Sequence, residues 1–177
     1  MPYLSQKLSA LLTSASASGT LAAVRNLGAN GITVGVVSSE PPSAAAWSRW
    51  ASSCHRAPPE TTGGRFIERL LAIGKANPGQ ILLPTSDETA WLYAANADVL
   101  KRQFCVYQPS LATIHNILDK KLFEAAASKA GLRVLPSWHP RSIEELRALT
   151  PSLPYPILIK PRTHVHSLWT DKGTVVY

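Results

Sequence analysis

Residues 8–37 read LSALLTSASASGTLAAVRNLGANGITVGVV, and this stretch decides the fold. Leu8 to Thr13 reads as a strand, with a continuous apolar run at Ala10-Leu11-Leu12. Ser14 to Gly19 is a loop of small residues. Leu21, Val24 and Leu27 then recur at helical spacing over Thr20 to Asn30. Gly31 suits the left-handed conformation that ends a helix. Ile32 to Val37 is rich in β-branched residues without alternation, the pattern of a strand covered on both faces in a parallel sheet. Strand, helix and strand within about thirty residues form a βαβ unit, which crosses over right-handed.

The same alternation extends outward. Residues 38–51 form a Pro/Ser/Ala-rich connection carrying Trp47 and Trp50, and Ser53 to Ala57 reads as a short edge strand. Arg65 to Ala76 is a helix with Phe66, Ile67, Leu70, Leu71 and Ile73 inward. Pro78-Gly79 is a turn, and Ile81-Leu82-Leu83 is a buried strand ended by Pro84. Thr85 with Glu88 has the capping-box spacing. It opens a helix to Lys101 that is expected to bury Trp91, Ala94, Ala95 and Val99. Phe104 to Tyr107 is the next strand. The expected fold class is therefore α/β. Residues 1–110 form a Rossmann-like open parallel sheet with helices on both faces and strand order 3-2-1-4-5.

After Pro109 the pattern changes. Leu111, Ile114, Ile117 and Leu118 share one helical face. A second amphipathic stretch runs from Lys120 to Ala130 with Phe123, Ala126 and Ala127, and Gly131 stops it. Ser142 and Glu145 have capping-box spacing for a helix to Leu149. Ile157 to Lys160 is a short apolar strand, expected to be buried and ending on a lysine. His164 to Trp169 alternates as a strand, Asp171-Lys172-Gly173 is a hairpin turn, and Thr174 to Tyr177 returns. Residues 111–177 thus form linker helices and the start of an α+β segment.

Composition narrows the function classes. The 177 residues carry 18 basic and 11 acidic side chains, a net charge of +7, which suits a polyanionic ligand such as a nucleotide. No Lys/Arg run exceeds two, so there is no electrostatic stripe for nucleic acid. No apolar run approaches the ~20 residues needed to span a bilayer. The segment from Lys7 to Ala17 imitates a signal peptide, but its apolar part is too short and too rich in Ser. Cys54 and Cys105 have no metal-type spacing and read as reduced, packed thiols of a cytoplasmic protein. No membrane or nucleic-acid partner is expected, and a homo-oligomer is compatible with the sequence.

Three places carry candidate chemistry. The first is the Ser14–Gly19 loop, with Ser14, Ser18 and Gly19 as substrate contacts. It lies at the carboxyl end of a strand, where free N–H groups at a helix start favour an anion such as a substrate carboxylate. A tight packing loop is the alternative. Only Gly19 is present of a G-x-G-x-x-G pattern, and Ser38 and Ser39 stand where a ribose-binding acid would be. Both absences argue against a dinucleotide site. The second place is Ser86 and Asp87, at the carboxyl end of another strand, where hydroxyl and carboxylate would orient an amine or polar substrate. Simple capping, with Asp87 and Glu88 complementing the helix dipole, is the alternative. The third is Lys120 with Lys160. An ammonium closing an apolar strand needs a partner, and two lysines from separate elements can neutralise a triphosphate. Against this stand a solvated helix charge for Lys120 and an edge-guarding charge for Lys160.

Other residues give less. His164 and His166 share a strand face, but zinc would need a third ligand and none is evident. His55, His115 and His139 are isolated in the sequence, and no Ser/His/Asp or Cys/His constellation identifies a catalytic residue.

Taken in order, these pieces resemble the ATP-grasp superfamily. They are the strand-loop-helix Ala10 to Asn30, the strand Ile32 to Val37, Pro84-Thr85-Ser86-Asp87, Leu118-Asp119-Lys120-Lys121-Leu122-Phe123 running to Ala130-Gly131-Leu132, and Pro156-Ile157-Leu158-Ile159-Lys160-Pro161. The similarity is greatest to the carboxylate–amine ligase branch, the relatives of carbamoyl phosphate synthetase large subunits. It implies a Rossmann-like pre-ATP-grasp domain followed by the first segment of an ATP-grasp domain. It also implies ATP and Mg as cofactors of the intact enzyme, small carboxylate and amine (or thiol) substrates, and an acylphosphate route. By that resemblance Lys120 and Lys160 contact ATP phosphates. The chain departs from the family where Arg162-Thr163-His164-Val165-His166 stands in place of a glycine-rich loop, and after Lys160 the only carboxylate is Asp171. The expectation is an N-terminal portion that is inactive in isolation. The alternative is a non-catalytic Rossmann-like module that binds a small anion or assembles with a partner.

Overall fold

In the computed structural model, which describes residues 8–40, 43–165 and 173–177, the chain divides into two compact units, Met1–Ile114 and His115–Tyr177. The first unit opens with β1 (Ser9–Leu12), α1 (Ser18–Ala29), β2 (Thr33–Ser38) and β3 (Ala51–Arg56). A 3-10 turn (Glu60–Thr62), α2 (Gly64–Ala76), β4 (Ile81–Leu83), α3 (Asp87–Ala95) and α4 (Ala97–Leu100) follow. All four strands are parallel, in the order β3-β2-β1-β4. Leu11 stands opposite Gly35 on one side and Leu82 on the other. Gly35 has a packing reason: a Cβ there would lie 2.8 Å from Ser53 Oγ and 3.1 Å from Leu11 Cδ1.

Alternation along β1 divides the core. Leu11 turns to one face with Val37, Phe66, Leu70, Leu82, Leu92, Tyr93 and Phe104. Ala10 and Leu12 turn to the other with Val24, Val34, Val36 and Ala45. Each fully buried Leu, Val or Phe contributes about 1.5–3 kcal/mol over its exposed state, so both faces of the sheet are driven to cover themselves. α1 thus lies on one face, and α2 and α3 lie on the other. β1 and β4 are the neighbouring strands whose following helices leave on opposite faces. Their carboxyl ends therefore flank a topological switch point, where open α/β sheets leave a crevice.

The structure corrects several expectations here. The fifth strand, Phe104–Tyr107, shrinks to one bridge between Ile81 and Cys105, with Leu82 N–H donating to Cys105 O at 3.0 Å and Cys105 N–H to Gln80 O at 2.9 Å. β4 has only three residues, and Pro84 has no N–H with which to continue the ladder. Ser86, not Thr85, caps α3: its Oγ accepts Thr89 N–H at 3.2 Å, and Thr89 rather than Glu88 closes the box. The expected helix to Lys101 breaks at Asn96, whose side-chain amide donates to Leu92 O at 2.8 Å and so competes with the backbone pattern. The buried residues of this stretch are Thr89, Leu92, Tyr93 and Leu100, not Trp91, Ala94, Ala95 and Val99. Cys54 and Cys105 are exposed free thiols rather than packed ones.

Beyond these elements come α5 (Leu111–Leu118), α6 (Lys120–Lys129), α7 (Ile143–Leu149), a 3-10 turn (Thr150–Ser152), β5 (Ile157–Ile159) and β6 (Thr174–Val176). Asp119 caps α6, and Ser142 caps α7 by accepting Glu145 N–H at 3.2 Å. Glu145 reaches Arg141 N–H at 2.8 Å, so the expected box closes on the preceding residue. β5 pairs antiparallel with β6, Ile157 opposite Val176. Here too expectations fail. β5 is not buried: Leu158 and Ile159 are 55% and 47% exposed, and Lys160 is exposed. His164 and Val165 belong to no strand. His166 to Trp169, and Asp171 and Lys172 of the expected hairpin turn, lie outside the described residues.

Candidate functional site

The switch-point crevice is built by the residues that follow β1 and β4. Thr13, fully buried, ends the apolar run of β1. Its carbonyl accepts the hydroxyls of Thr20 (3.3 Å) and Thr85, and its Oγ1 accepts Tyr93 OH at 3.0 Å. Ser14 then turns the chain with φ 49°, a left-handed conformation that is uncommon for a residue other than Gly and carries a strain of about 1–3 kcal/mol. Bonds from every side hold it there. Its carbonyl accepts Ala17 N–H and the Thr20 hydroxyl, each at 2.9 Å. Its Oγ lies 2.9 Å from Glu60 Oε1 and 3.1 Å from Ser86 Oγ.

The structure thus joins Ser14 and Ser86, two of the five expected substrate contacts, across the mouth between β1 and β4. Ser18 and Gly19 sit exposed in the first turn of α1. Its N-cap residue, Ala17, offers no side-chain hydrogen bond, and that turn carries no acidic residue. Asp87 is exposed in the first turn of α3. Among the described residues, neither Ser18 nor Asp87 hydrogen-bonds into the Ser14–Ser86 network.

Glu60 was missed by sequence reasoning. It follows Pro58-Pro59 just beyond the carboxyl end of β3. In a parallel sheet that puts it on the same rim as Ser14 and Ser86, which is the signal that could have found it. Burial and then the Glu60 charge push the Tyr93 phenol above its ordinary range, partly opposed by the hydrogen bond with Thr13. Tyr93 is therefore a neutral post.

The second candidate lies within the unit His115–Tyr177. Asp119, 5% exposed, accepts Lys121 N–H (3.0 Å) and Leu122 N–H (3.1 Å) through Oδ1. Its Oδ2 lies 2.6 Å from Arg162 Nε. Lys120 N–H donates to Arg162 O at 3.0 Å. The head of α6 and the segment following β5 are therefore joined, so Lys120 and Lys160 come from adjoining pieces of backbone. The Lys160 stem runs beside Gly173, where a Cβ would approach Lys160 Cγ to 2.9 Å. Arg162 is a cation that sequence reasoning did not assign, although it stands two residues after Lys160. Burial pushes the Asp119 carboxyl up, but Leu122 N–H, the Arg162 guanidinium and Lys121 N–H together hold it below the ordinary carboxylate range.

His139 and His55, isolated in the sequence, have partners in space. His139 Nε2 is 2.9 Å from Glu124 Oε2, and the bond from His139 chiefly holds that carboxyl low. His55 Nε2 is 3.1 Å from Ser53 Oγ. Burial, then the Arg69 charge, lowers the pKa of His55. Among the described residues there is no group of three or more His, Cys, Asp or Glu that could hold a metal ion, and no helix is long and apolar enough to cross a membrane.

No family model and no curated protein matches the chain. Solved structures do. An N5-carboxyaminoimidazole ribonucleotide synthetase in complex with ADP is 16% identical with a TM-score of 0.66, over 96% of this chain and 41% of that one. An N5-carboxyaminoimidazole synthetase from Staphylococcus aureus, also complexed with ADP, is 13% identical with a TM-score of 0.67, over 95% and 41%. An L-amino acid ligase from Bacillus licheniformis is 15% identical with a TM-score of 0.60, over 96% and 39%. The chain spans about two fifths of the length of these structures. With its parallel sheet, its helices on both faces and these likenesses, the chain has the fold of the N-terminal region of ATP-grasp enzymes, as its sequence resemblance implied.

Proposed function

We propose that this chain is the N-terminal part of an ATP-dependent carboxylate–amine (or thiol) ligase and supplies the first phosphate contacts and part of the substrate crevice. The carrying observation is the 3.0 Å bond from Lys120 N–H to Arg162 O, which sets the two lysine-bearing segments side by side on this fold. Lys120 and Lys160 would hold ATP phosphates as point charges, with Arg162 kept in place by Asp119. Ser14, Ser18, Gly19, Ser86 and Asp87 would face the small-molecule substrate. In the complete enzyme ATP would supply a phosphoryl group to the substrate carboxylate, with ADP as product, and the amine would then displace phosphate. Mg would accompany ATP, but the described residues contain no cluster of donors for it, so no residue of this chain is assigned to the metal. The chain alone is proposed to be catalytically inactive, and sustained ATP-dependent ligation by residues 1–177 would refute that.

Calorimetric titration of ATP with Mg into the wild-type chain, Lys120→Ala and Lys160→Ala tests the phosphate assignment. At least a tenfold loss of affinity in each variant is expected. Equal heats from wild type and a variant would remove that lysine from the site.

A second function, as a non-catalytic assembly module, is favoured by one observation. The second unit leaves Leu135, Ile143, Leu158 and Val175 more than half exposed, at 82%, 58%, 55% and 51%, and apolar surface of that kind marks interaction sites. A concentration-dependent mass in analytical ultracentrifugation, lowered by Leu158→Glu, would support a homo-oligomer.

A further inference from the structure

We propose that the ligand group seated at the mouth between β1 and β4 is a primary amine in its ammonium form, and that Glu60 is the residue that selects it. This deepens the ligase function and rests on the crevice being its substrate end.

Thr89 Oγ1 accepts Thr85 N–H at 3.2 Å and Ser86 N–H at 3.1 Å. Both its lone pairs are then occupied, and its own proton goes to Ser86 O at 3.1 Å. Ser86 Oγ, 3.0 Å from Thr89 Oγ1, therefore finds no acceptor there. It accepts Thr89 N–H at 3.2 Å and faces Ser14 Oγ, the donor of that pair, at 3.1 Å. Ser14 has one proton, and the stronger acceptor is the Glu60 carboxylate at 2.9 Å. The Ser14 proton is thus committed to Glu60.

What remains open at the Glu60 end of this mouth is acceptor capacity and negative charge. Among the described residues Glu60 Oε2 has no partner, and Glu60 is only half-buried. A ligand carboxylate would meet the like charge of Glu60 and find the Ser14 proton already committed. An ammonium brings three donors and a compensating charge. The expectation of a carboxylate against the Ser14 end of the loop is therefore replaced, here, by an amine. A purely structural Glu60, serving only to tether Ser14, would leave ligand preference unaffected.

The test uses the whole 15N-labelled chain and three probes of similar size, ethylamine, ethanol and acetate, at neutral pH and constant ionic strength. Ethylamine is expected to shift the amide signals of Ser14, Glu60 and Ser86 saturably, at least tenfold more tightly than ethanol or acetate. Glu60→Gln should remove most of that tenfold preference while leaving the amide spectrum of the sheet intact. The proposal is overturned if acetate or ethanol binds as well as ethylamine, if ethylamine gives no saturable shift, or if Glu60→Gln keeps the preference. The probe comparison on wild type decides the matter even if the variant misfolds. ATP calorimetry separates the two claims. Amine binding without ATP binding would sink the ligase function alone, and the reverse would sink the amine site alone.

Discussion

Arg162 Nε sits 2.6 Å from Asp119 Oδ2, while the other oxygen of that carboxylate caps α6 through Lys121 and Leu122. One buried side chain thus performs two tasks, starting a helix and anchoring the segment that leaves β5. Because Lys120 begins the helix and Lys160 precedes the anchored segment, Asp119 is the residue that positions both.

Asp119→Ala is accordingly expected to weaken α6 by about 1–2 kcal/mol through loss of the cap. Arg162→Ala should be milder, because its side chain is 58% exposed and exposed pairs contribute about 0–1 kcal/mol. Amide hydrogen exchange across α6 measures both. A larger effect from Arg162→Ala would show that the ion pair outweighs the cap.

The same carboxylate gives a pH dependence of known sign. Its folded pKa lies below the ordinary value, so its stabilising effect is complete above the unfolded value of about 3.9 and fades as pH falls through the folded value. Protection of α6 amides should be flat above about pH 5 and decline in the acid range. In Asp119→Asn that decline should flatten; an unchanged acid limb would assign it to other carboxyls.

Ser14 separates strain from bonding. Ser14→Ala keeps the strained φ of 49° and loses the hydroxyl, whereas Ser14→Gly loses the hydroxyl and relieves the backbone. The glycine variant is expected to be more stable than the alanine variant by about 1 kcal/mol. Urea midpoints of the two proteins decide it, and equal midpoints would mean the turn is unstrained.

Gly74 lies inside α2, where Ala would ordinarily gain about 1 kcal/mol in helix propensity. Here a Cβ would sit 2.6 Å from Phe104 Cζ and 2.8 Å from Gln103 Cβ. Phe104 is buried and cannot swing aside, so overpacking of about 1–3 kcal/mol should prevail. A lowered melting temperature for Gly74→Ala is expected, and a raised one would show that the ring yields.

The parallel sheet was legible because its strands are continuous apolar runs punctuated by Gly and Pro, as at Ala10–Leu12 and Ile81–Leu83. What was not legible depended on competition between neighbours. Thr85 and Ser86 are both good caps, and Thr85 was drawn away by the Thr13 carbonyl 72 residues earlier. Tyr93 entered the core because Thr13 met its hydroxyl, a contact no local pattern reveals. Ile157–Ile159 looked buried because apolar runs usually are, yet among the described residues it pairs with β6 alone. At the site, Ser14 and Ser86 could be placed from strand ends alone. Glu60 also follows a strand end, that of β3, but a Pro-rich loop without a period stands between them and hid the signal.

All four strands point the same way, so their last residues gather at one margin while their interior residues fill the layers beneath. Recognition and folding therefore draw on separate sets of positions. Descendants of such a sheet can exchange Ser14, Glu60 or Ser86 for other chemistry while Leu11, Val36 and Leu82 go on holding the platform, and new ligand preferences become accessible without rebuilding the protein.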